Sequence, residues 1–172
     1  GHEAEIADLY GEEFDPLIYP PDEPDWTRED KTYAESTQAE IARLQRNDGV
    51  ILVFPIWWWS FPAMLKGWFD RVFTAGWAFE ITTTTDGRHI EPQGSLLTER
   101  RAIILCCAGG SEAMYEKYGA RDALRRQIEV GTMEYCGVKD VTTHILYKAW
   151  EDDETLRATH LHTAYSAGNS FT

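Results

Sequence analysis

A chain of 172 residues in which 43% of side chains are hydrophobic and 13% aromatic holds enough apolar material for one domain with a core, which excludes a disordered segment. A formal charge of −13 without any block of Lys and Arg excludes a surface built to neutralise nucleic-acid phosphates. Cys106, Cys107 and Cys136 lack metal-type spacing and are read as reduced thiols of a cytoplasmic protein. The most apolar stretch, 50–65, contains two prolines and a serine and ends at Lys66, too short and broken for a membrane span.

In chain order, Glu3 to Leu9 is predicted as a strand, followed by a connection rich in proline and acid from Tyr10 to Lys31, read as a solvated surface excursion. Thr37 to Gln45 places Ala39, Ile41, Ala42 and Leu44 near helical spacing, and Asn47 to Gly49 stop that helix. Val50 to Phe54 is β-branched and wholly apolar, the pattern of a parallel strand buried on both faces. Pro55 ends it. Pro62 suits the first turn of a helix running to Phe73, with Ser60 as its capping group, so Ile56 to Phe61 form a loop at the carboxyl end of a strand. Lys66 and Asp70 pair four apart on that helix, while Met64, Leu65, Trp68, Phe69, Val72 and Phe73 make an apolar surface wide enough to suggest a partner subunit. Phe79 to Thr85 and Arg88 to Ile90 flank Asp86-Gly87 as a hairpin. Ala102 to Cys107 is a second buried strand, with Cys106 and Cys107 on opposite faces, and it opens into Ala108-Gly109-Gly110-Ser111. A helix from Asp122 to Tyr135, a strand from Val141 to Tyr147 and an amphipathic helix from Asp152 to Ala167 complete the chain.

The chemistry concentrates in two loops. Trp57, Trp58 and Trp59 offer large rigid faces that stack on flat conjugated rings; a hydrophobic subunit contact is the alternative use of such a loop. Gly109 and Gly110 let the backbone approach a ligand and aim free amides at it. Both loops leave carboxyl ends of strands, where open α/β sheets bind ligands. His160 and His162, two apart on a helix, cannot share a face, His89 and His144 are isolated, and no metal site is expected. No nucleophile motif is present, so a cofactor must supply the chemistry.

These residues carry a resemblance. Phe54-Pro55, the tryptophan loop, Pro62-Ala63, Leu65-Lys66-Gly67-Trp68 and Asp70-Arg71-Val72-Phe73 resemble the flavin loop and following helix of the NAD(P)H:quinone oxidoreductases of the DT-diaphorase type. Gly76-Trp77-Ala78-Phe79, Ala108-Gly109-Gly110-Ser111, Met114-Tyr115 and Tyr135-Cys136-Gly137 follow in that family's order, as do Gly1-His2-Glu3, Asp8-Leu9-Tyr10 and Phe14-Asp15-Pro16 upstream. The resemblance implies an α/β, flavodoxin-like three-layer sandwich whose parallel sheet has strand order 2-1-3-4-5 in the intact parent. Members begin with a strand, a phosphate loop and a helix, whereas this chain begins at Gly1, where their second strand starts. Residues 1–172 are therefore read as a single domain lacking its first βα unit at the N-terminus.

What the resemblance implies about function is a two-step exchange at FMN or FAD: NAD(P)H gives a hydride, leaves, and a quinone-like acceptor takes its place. Pro55, Ile56, Trp57, Trp58, Trp59, Ala108, Gly109, Gly110 and Tyr115 are the implied cofactor contacts, with backbone amides of Trp58, Trp59, Gly109 and Gly110 as donors. Trp77 and Phe79 are the implied lining of a substrate pocket shared across a homodimer, with plain core positions as the equal alternative. Tyr115 matches a tyrosine that in animal members works beside a histidine six residues on. Here that position is Arg121, which can hold an anion but cannot relay a proton at neutral pH. Two other roles on the same fold are a one-electron carrier of flavodoxin type and a regulatory flavoprotein of a potassium-efflux system.

Overall fold

The computed structural model describes residues 2–23, 31–83, 90–98 and 100–171. In order they form α1 (Glu35–Gln45), β1 (Gly49–Pro55), α2 (Ala63–Val72), β2 (Phe79–Thr83), β3 (Ile90–Ser95), β4 (Arg101–Cys107), α3 (Glu112–Lys117), α4 (Ala120–Arg125), β5 (Asp140–Leu146) and α5 (Glu154–Asn169). Between α4 and β5 the helix widens into a π-helical segment, Arg126–Glu134. There the Thr132 hydroxyl donates to the Gln127 carbonyl five residues back, at 2.9 Å. One unbroken helix was expected over this stretch. The wider turn places Gln127 so that its amide donates to Ser60 Oγ at 3.0 Å.

Three parallel strands form one sheet in the order β1-β4-β5, and β2 and β3 form a separate antiparallel pair. The expected hairpin is thus present as a strand pair, while its turn at Asp86-Gly87 lies outside the described residues. The register is level: Pro55 lies beside Cys107, and Cys107 beside Leu146. All three carboxyl ends therefore open onto one rim.

Alternation along the strands divides the core. Leu52, Phe54, Ala102, Ile104 and Cys106 face one side and pack with Leu65, Trp68, Phe69 and Val72 of α2 and with Leu124, Ile128 and Met133 of α4 and the π segment. Ile103 and Leu105 face the other side, against Ala164, Ala167 and Phe171 at the end of α5. Each large apolar side chain removed from water in these layers contributes about 1.5–3 kcal/mol.

Burial on both faces, expected for β1, is found only for β4. Ile51 and Val53 of β1 are exposed. They lie beside Ile103 and Leu105 in register, on the α5 side, but α5 covers only the β4 half of that face. The strand expected at Glu3 to Leu9 is absent as well. Those residues run without ladder pairing, and among the described residues no strand bonds to the outer edge of β1. An extended segment needs a neighbour for its backbone groups before it becomes a strand. Glu5 is instead held by side chains: hydrogen bonds from Arg46 and Asn47 bring its carboxyl down to about 2.

The acidic connection is no mere surface excursion, because Asp22 is fully buried. It accepts from Arg71 Nε at 2.8 Å, Thr37 Oγ1 at 2.9 Å and the Ala34 amide at 2.8 Å, while Arg71 also reaches Ser36 Oγ at 2.7 Å and the Asp15 carbonyl. A buried charge pair persists when its remaining donors and acceptors are satisfied in this way. Pro16 packs on Gly67, where a side chain's Cβ would stand 2.3 Å from the Pro16 carbonyl oxygen. The apolar surface of α2 is accordingly covered by this chain's own α1 and N-terminal segment, with Glu40 accepting from Trp68 Nε1 at 2.9 Å. Lys66 and Asp70 pair on its outer face as expected.

Candidate active site

The first wall rises from the end of β1. The Ile56 amide extends the ladder by donating to the Cys107 carbonyl at 2.8 Å, after which Trp57 and Ser60 exchange both backbone hydrogen bonds at 3.2 and 3.1 Å. The two residues between them, Trp58 and Trp59, have φ of 50° and 62°. Positive φ at both central positions is the pattern of a type I′ turn, usually filled by Asn and Gly. Holding two bulky side chains there costs of order 1–3 kcal/mol each and is tolerated mainly where geometry serves function. Trp58 is 95% exposed, whereas the Trp59 ring meets Tyr115 edge-on with centroids 4.9 Å apart. Ser60 does not cap α2, whose first residue follows Pro62 without any side-chain cap; its hydroxyl receives Gln127 instead.

The second wall follows β4. The Ala108 amide donates to the Leu146 carbonyl at 2.9 Å, and its carbonyl accepts from Ala149 at 2.9 Å; the Gly110 carbonyl accepts from Lys148 at 3.0 Å. A Cβ on Gly109 would lie 1.6 Å from Trp150 Nε1, and one on Gly110 2.1 Å from Met114 Cε, so neither position accepts a larger residue without displacement. Ser111 Oγ caps α3 by accepting the Met114 amide at 3.3 Å. Among the described residues, the amides of Trp58, Trp59, Gly109 and Gly110 donate to no protein acceptor.

Tyr115 sits between the walls, only 4% exposed, packed with Ala108, Ala120, Ile56 and Tyr147. Its ring meets Tyr147 edge-on at 5.4 Å. Burial, and then the neighbouring Cys106 and Tyr147, push its phenol above the ordinary tyrosine value. Tyr147 is raised too, first by burial and then by Glu112. Both remain neutral hydrogen-bond donors throughout the physiological range.

Of the residues singled out in the sequence, Pro55, Ile56, Trp57, Trp58, Trp59, Ala108, Gly109, Gly110 and Tyr115 come together on one rim. Arg121 takes no place beside Tyr115 as an ion partner. Its guanidinium pairs with Glu112 at 3.4 Å and Glu116 at 3.3 Å on the exposed side of α3. Trp77 and Phe79 lie elsewhere in the chain. Trp77 borders an apolar depression with Leu44, Val50, Phe73, Leu97 and Met133, and Phe79 meets Tyr135 at 5.5 Å. Sequence reasoning missed Tyr147, Trp150 and Gln127. The first two follow a strand that ends level with the other two, and that topology was the available signal. Among the described residues no group of His, Cys, Asp and Glu could hold a metal ion, and no helix is long and apolar enough to cross a membrane.

Aromatic walls, open amides and a paired-glycine loop fit a planar, heteroatom-edged ring such as an isoalloxazine. The sheet and its rim define an α/β protein of flavodoxin-like architecture, and comparison with known proteins agrees. The description of a flavodoxin-like fold family matches residues 1–166. The chain is 30% identical over 160 residues to the Escherichia coli K12 protein named as the uncharacterized NAD(P)H oxidoreductase YcaK, covering 92% of this chain and 75% of that one. It is 29% identical over 165 residues to NAD(P)H dehydrogenase (quinone) 1 of Cavia porcellus, covering 86% of this chain and 58% of that protein. The solved NAD(P)H:quinone oxidoreductase from Methanothermobacter marburgensis superposes with a TM-score of 0.79 at 28% identity, over 98% of this chain and 82% of its own. The chain belongs to the flavodoxin-like family. It spans three quarters of the first relative and little more than half of the second.

Proposed function

We propose that the protein is an NAD(P)H dehydrogenase of the quinone-reducing type that binds FMN or FAD at the rim of β1, β4 and β5. The observation that carries this reading is that two loops at one rim, joined by the Trp59–Tyr115 ring contact, hold four amides, those of Trp58, Trp59, Gly109 and Gly110, without a protein acceptor among the described residues. The chemistry a bound flavin supplies is acceptance of a hydride from NAD(P)H and its delivery, with a proton, to a quinone-like acceptor that occupies the same place in turn.

The chain's own groups do the rest. The amides of Gly109 and Gly110 would serve as donors to a bound ring that gains negative charge on reduction, and donors that need no reorganisation are worth most where water is excluded. The amides of Trp58 and Trp59 would offer further donors, and their strained turn fixes where those donors point. Tyr115, neutral and buried, offers its hydroxyl as a donor to charge that develops during hydride transfer. Arg121 is engaged by Glu112 and Glu116, so its part is to hold α4 against α3, and proton relay is excluded by its basicity. Trp77 and Phe79 serve a second copy of the chain, lining its acceptor pocket in a cytoplasmic homodimer.

The test is single-turnover flavin reduction in a stopped-flow instrument. Replacing Tyr115 with Phe removes one preorganised donor while leaving its packing, and is expected to slow reduction by about 10²-fold with little change in NAD(P)H affinity. An unchanged rate removes Tyr115 from the mechanism.

A further inference from the structure

We propose that Trp150 is a positioning residue for the flavin site, a clamp that fixes the Gly109–Gly110 backbone so that its amides stay aimed at the ring; the inference rests on the reading just given.

The third rim loop, after β5, carries the observations. Lys148 has φ of 57°, a left-handed conformation in a residue with a long side chain. From this bend the Lys148 amide donates to the Gly110 carbonyl at 3.0 Å, the Ala149 amide to the Ala108 carbonyl at 2.9 Å, and the Glu151 amide closes the turn onto the Lys148 carbonyl at 2.9 Å. The first two bonds bracket Gly109, whose own amide and carbonyl take no part in either. The turn then folds the indole back until its Nε1 stands 1.6 Å from where a Cβ on Gly109 would be. Trp150 is nonetheless 80% exposed, so the ring adds little to either core layer, and its close packing is directed at the glycine.

The bond to the Ala108 carbonyl fixes the peptide plane that carries the Gly109 amide, but the next plane, Gly109 carbonyl to Gly110 amide, has no such bond, and a residue without Cβ leaves it wide freedom that an outside contact can narrow. The indole provides that contact. Narrowing the loop beforehand lowers the entropy lost when a ligand engages the amides, which strengthens binding without any new bond. Because these donors face the edge that becomes anionic on two-electron reduction, a fixed loop favours reduced flavin over oxidised flavin. Losing the clamp therefore weakens binding of both forms, and of the reduced form more.

The experiment uses FMN as the probe on the whole chain. Oxidised FMN binding is read by quenching of flavin fluorescence, the two-electron midpoint potential of bound FMN by dye equilibration, and folding by the thermal midpoint of the ligand-free protein. Trp150→Ala is expected to weaken oxidised FMN about tenfold. It is expected to weaken reduced FMN about tenfold more, which lowers the midpoint potential by about 30 mV for a two-electron couple. Trp150→Phe restores most of both effects. The ligand-free thermal midpoint moves little in the tryptophan variants. A Trp150→Ala protein whose affinity and potential match the unaltered chain overturns the clamp while leaving the flavin reading intact. Losses that appear only with a fall in the thermal midpoint, and that Phe does not reverse, overturn it as well. Unaltered protein that binds no FMN overturns both.

Discussion

Trp58 and Trp59 adopt backbone angles that suit Gly or Asn, and a strained turn of this kind is a trade of stability for geometry. Trp58→Gly should release that strain, because the exposed indole gives up almost no core packing. We expect about 1 kcal/mol of added stability, visible as a rise in the thermal midpoint of about 2–4 °C, together with weaker flavin binding. A fall in the midpoint would mean that the exposed ring makes contacts that matter for folding. Cys106 behaves in the opposite sense. Burial, and then the adjacent Cys107, push its thiol up to about 12 from 9.0. The folded chain therefore keeps that proton where the unfolded chain has lost it, so the contribution is intact below pH 9 and stability falls as pH rises from about 9 toward 12. At pH 8 Cys106 should resist iodoacetamide in the native protein and react once the chain is unfolded; rapid native labelling at Cys106 would contradict this. The residues gathered on the rim were legible as a group because bulky aromatics and paired glycines have few other reasons to follow apolar strands. The role of Arg121 was not legible, since the carboxylates that hold it, Glu112 and Glu116, become neighbours only once α3 and α4 have turned back on each other.

At the scale of elements, the Asp22–Arg71 pair fastens the acidic connection and α1 onto α2, the helix that continues from the tryptophan loop. Removing one partner strands the other charge in the interior. Arg71→Met should destabilise the chain by about 3–5 kcal/mol, read as a shift in the urea unfolding midpoint, whereas exposed pairs such as Lys66–Asp70 should contribute less than about 1 kcal/mol when broken. Equal effects for the two pairs would refute the distinction. The burial of Asp22 could not be read from the sequence, because nothing local separates it from its acidic neighbours; only the approach of Arg71, 49 positions later, makes the difference. The strands were legible wherever their apolar runs meet a neighbour. Val50 to Phe54 has the composition of a two-sided strand, yet Ile51 and Val53 stay exposed because composition cannot say whether a helix covers the far face. Glu3 to Leu9 shows the same limit for edges, since a strand is defined by its partner as much as by its own residues. The π-helical turn that brings Gln127 to Ser60 has no local signature apart from Gly131 and Thr132, which fit an ordinary helix equally well.

For the molecule as a whole, three parallel strands end at the same height, and this single fact assembles loops that are far apart in the sequence. Trp59, Tyr115, Tyr147 and Trp150 meet there with four open amides, and the rest of the chain holds them in place from both faces of the sheet. The fold class was legible through the family resemblance, with which the apolar strand runs ending in ligand-facing loops agree. The third loop of the rim was not, since its importance comes from being level with the others. The most direct test of the account is an equilibrium titration of the purified protein with FMN and with FAD, followed by flavin fluorescence and visible circular dichroism. The account predicts saturable binding of at least one flavin, with quenched emission, an induced dichroic band in the visible, and bleaching of the yellow colour when NADH or NADPH is added. Emission and dichroism identical to those of free FMN and FAD, at every protein concentration tested, would contradict it.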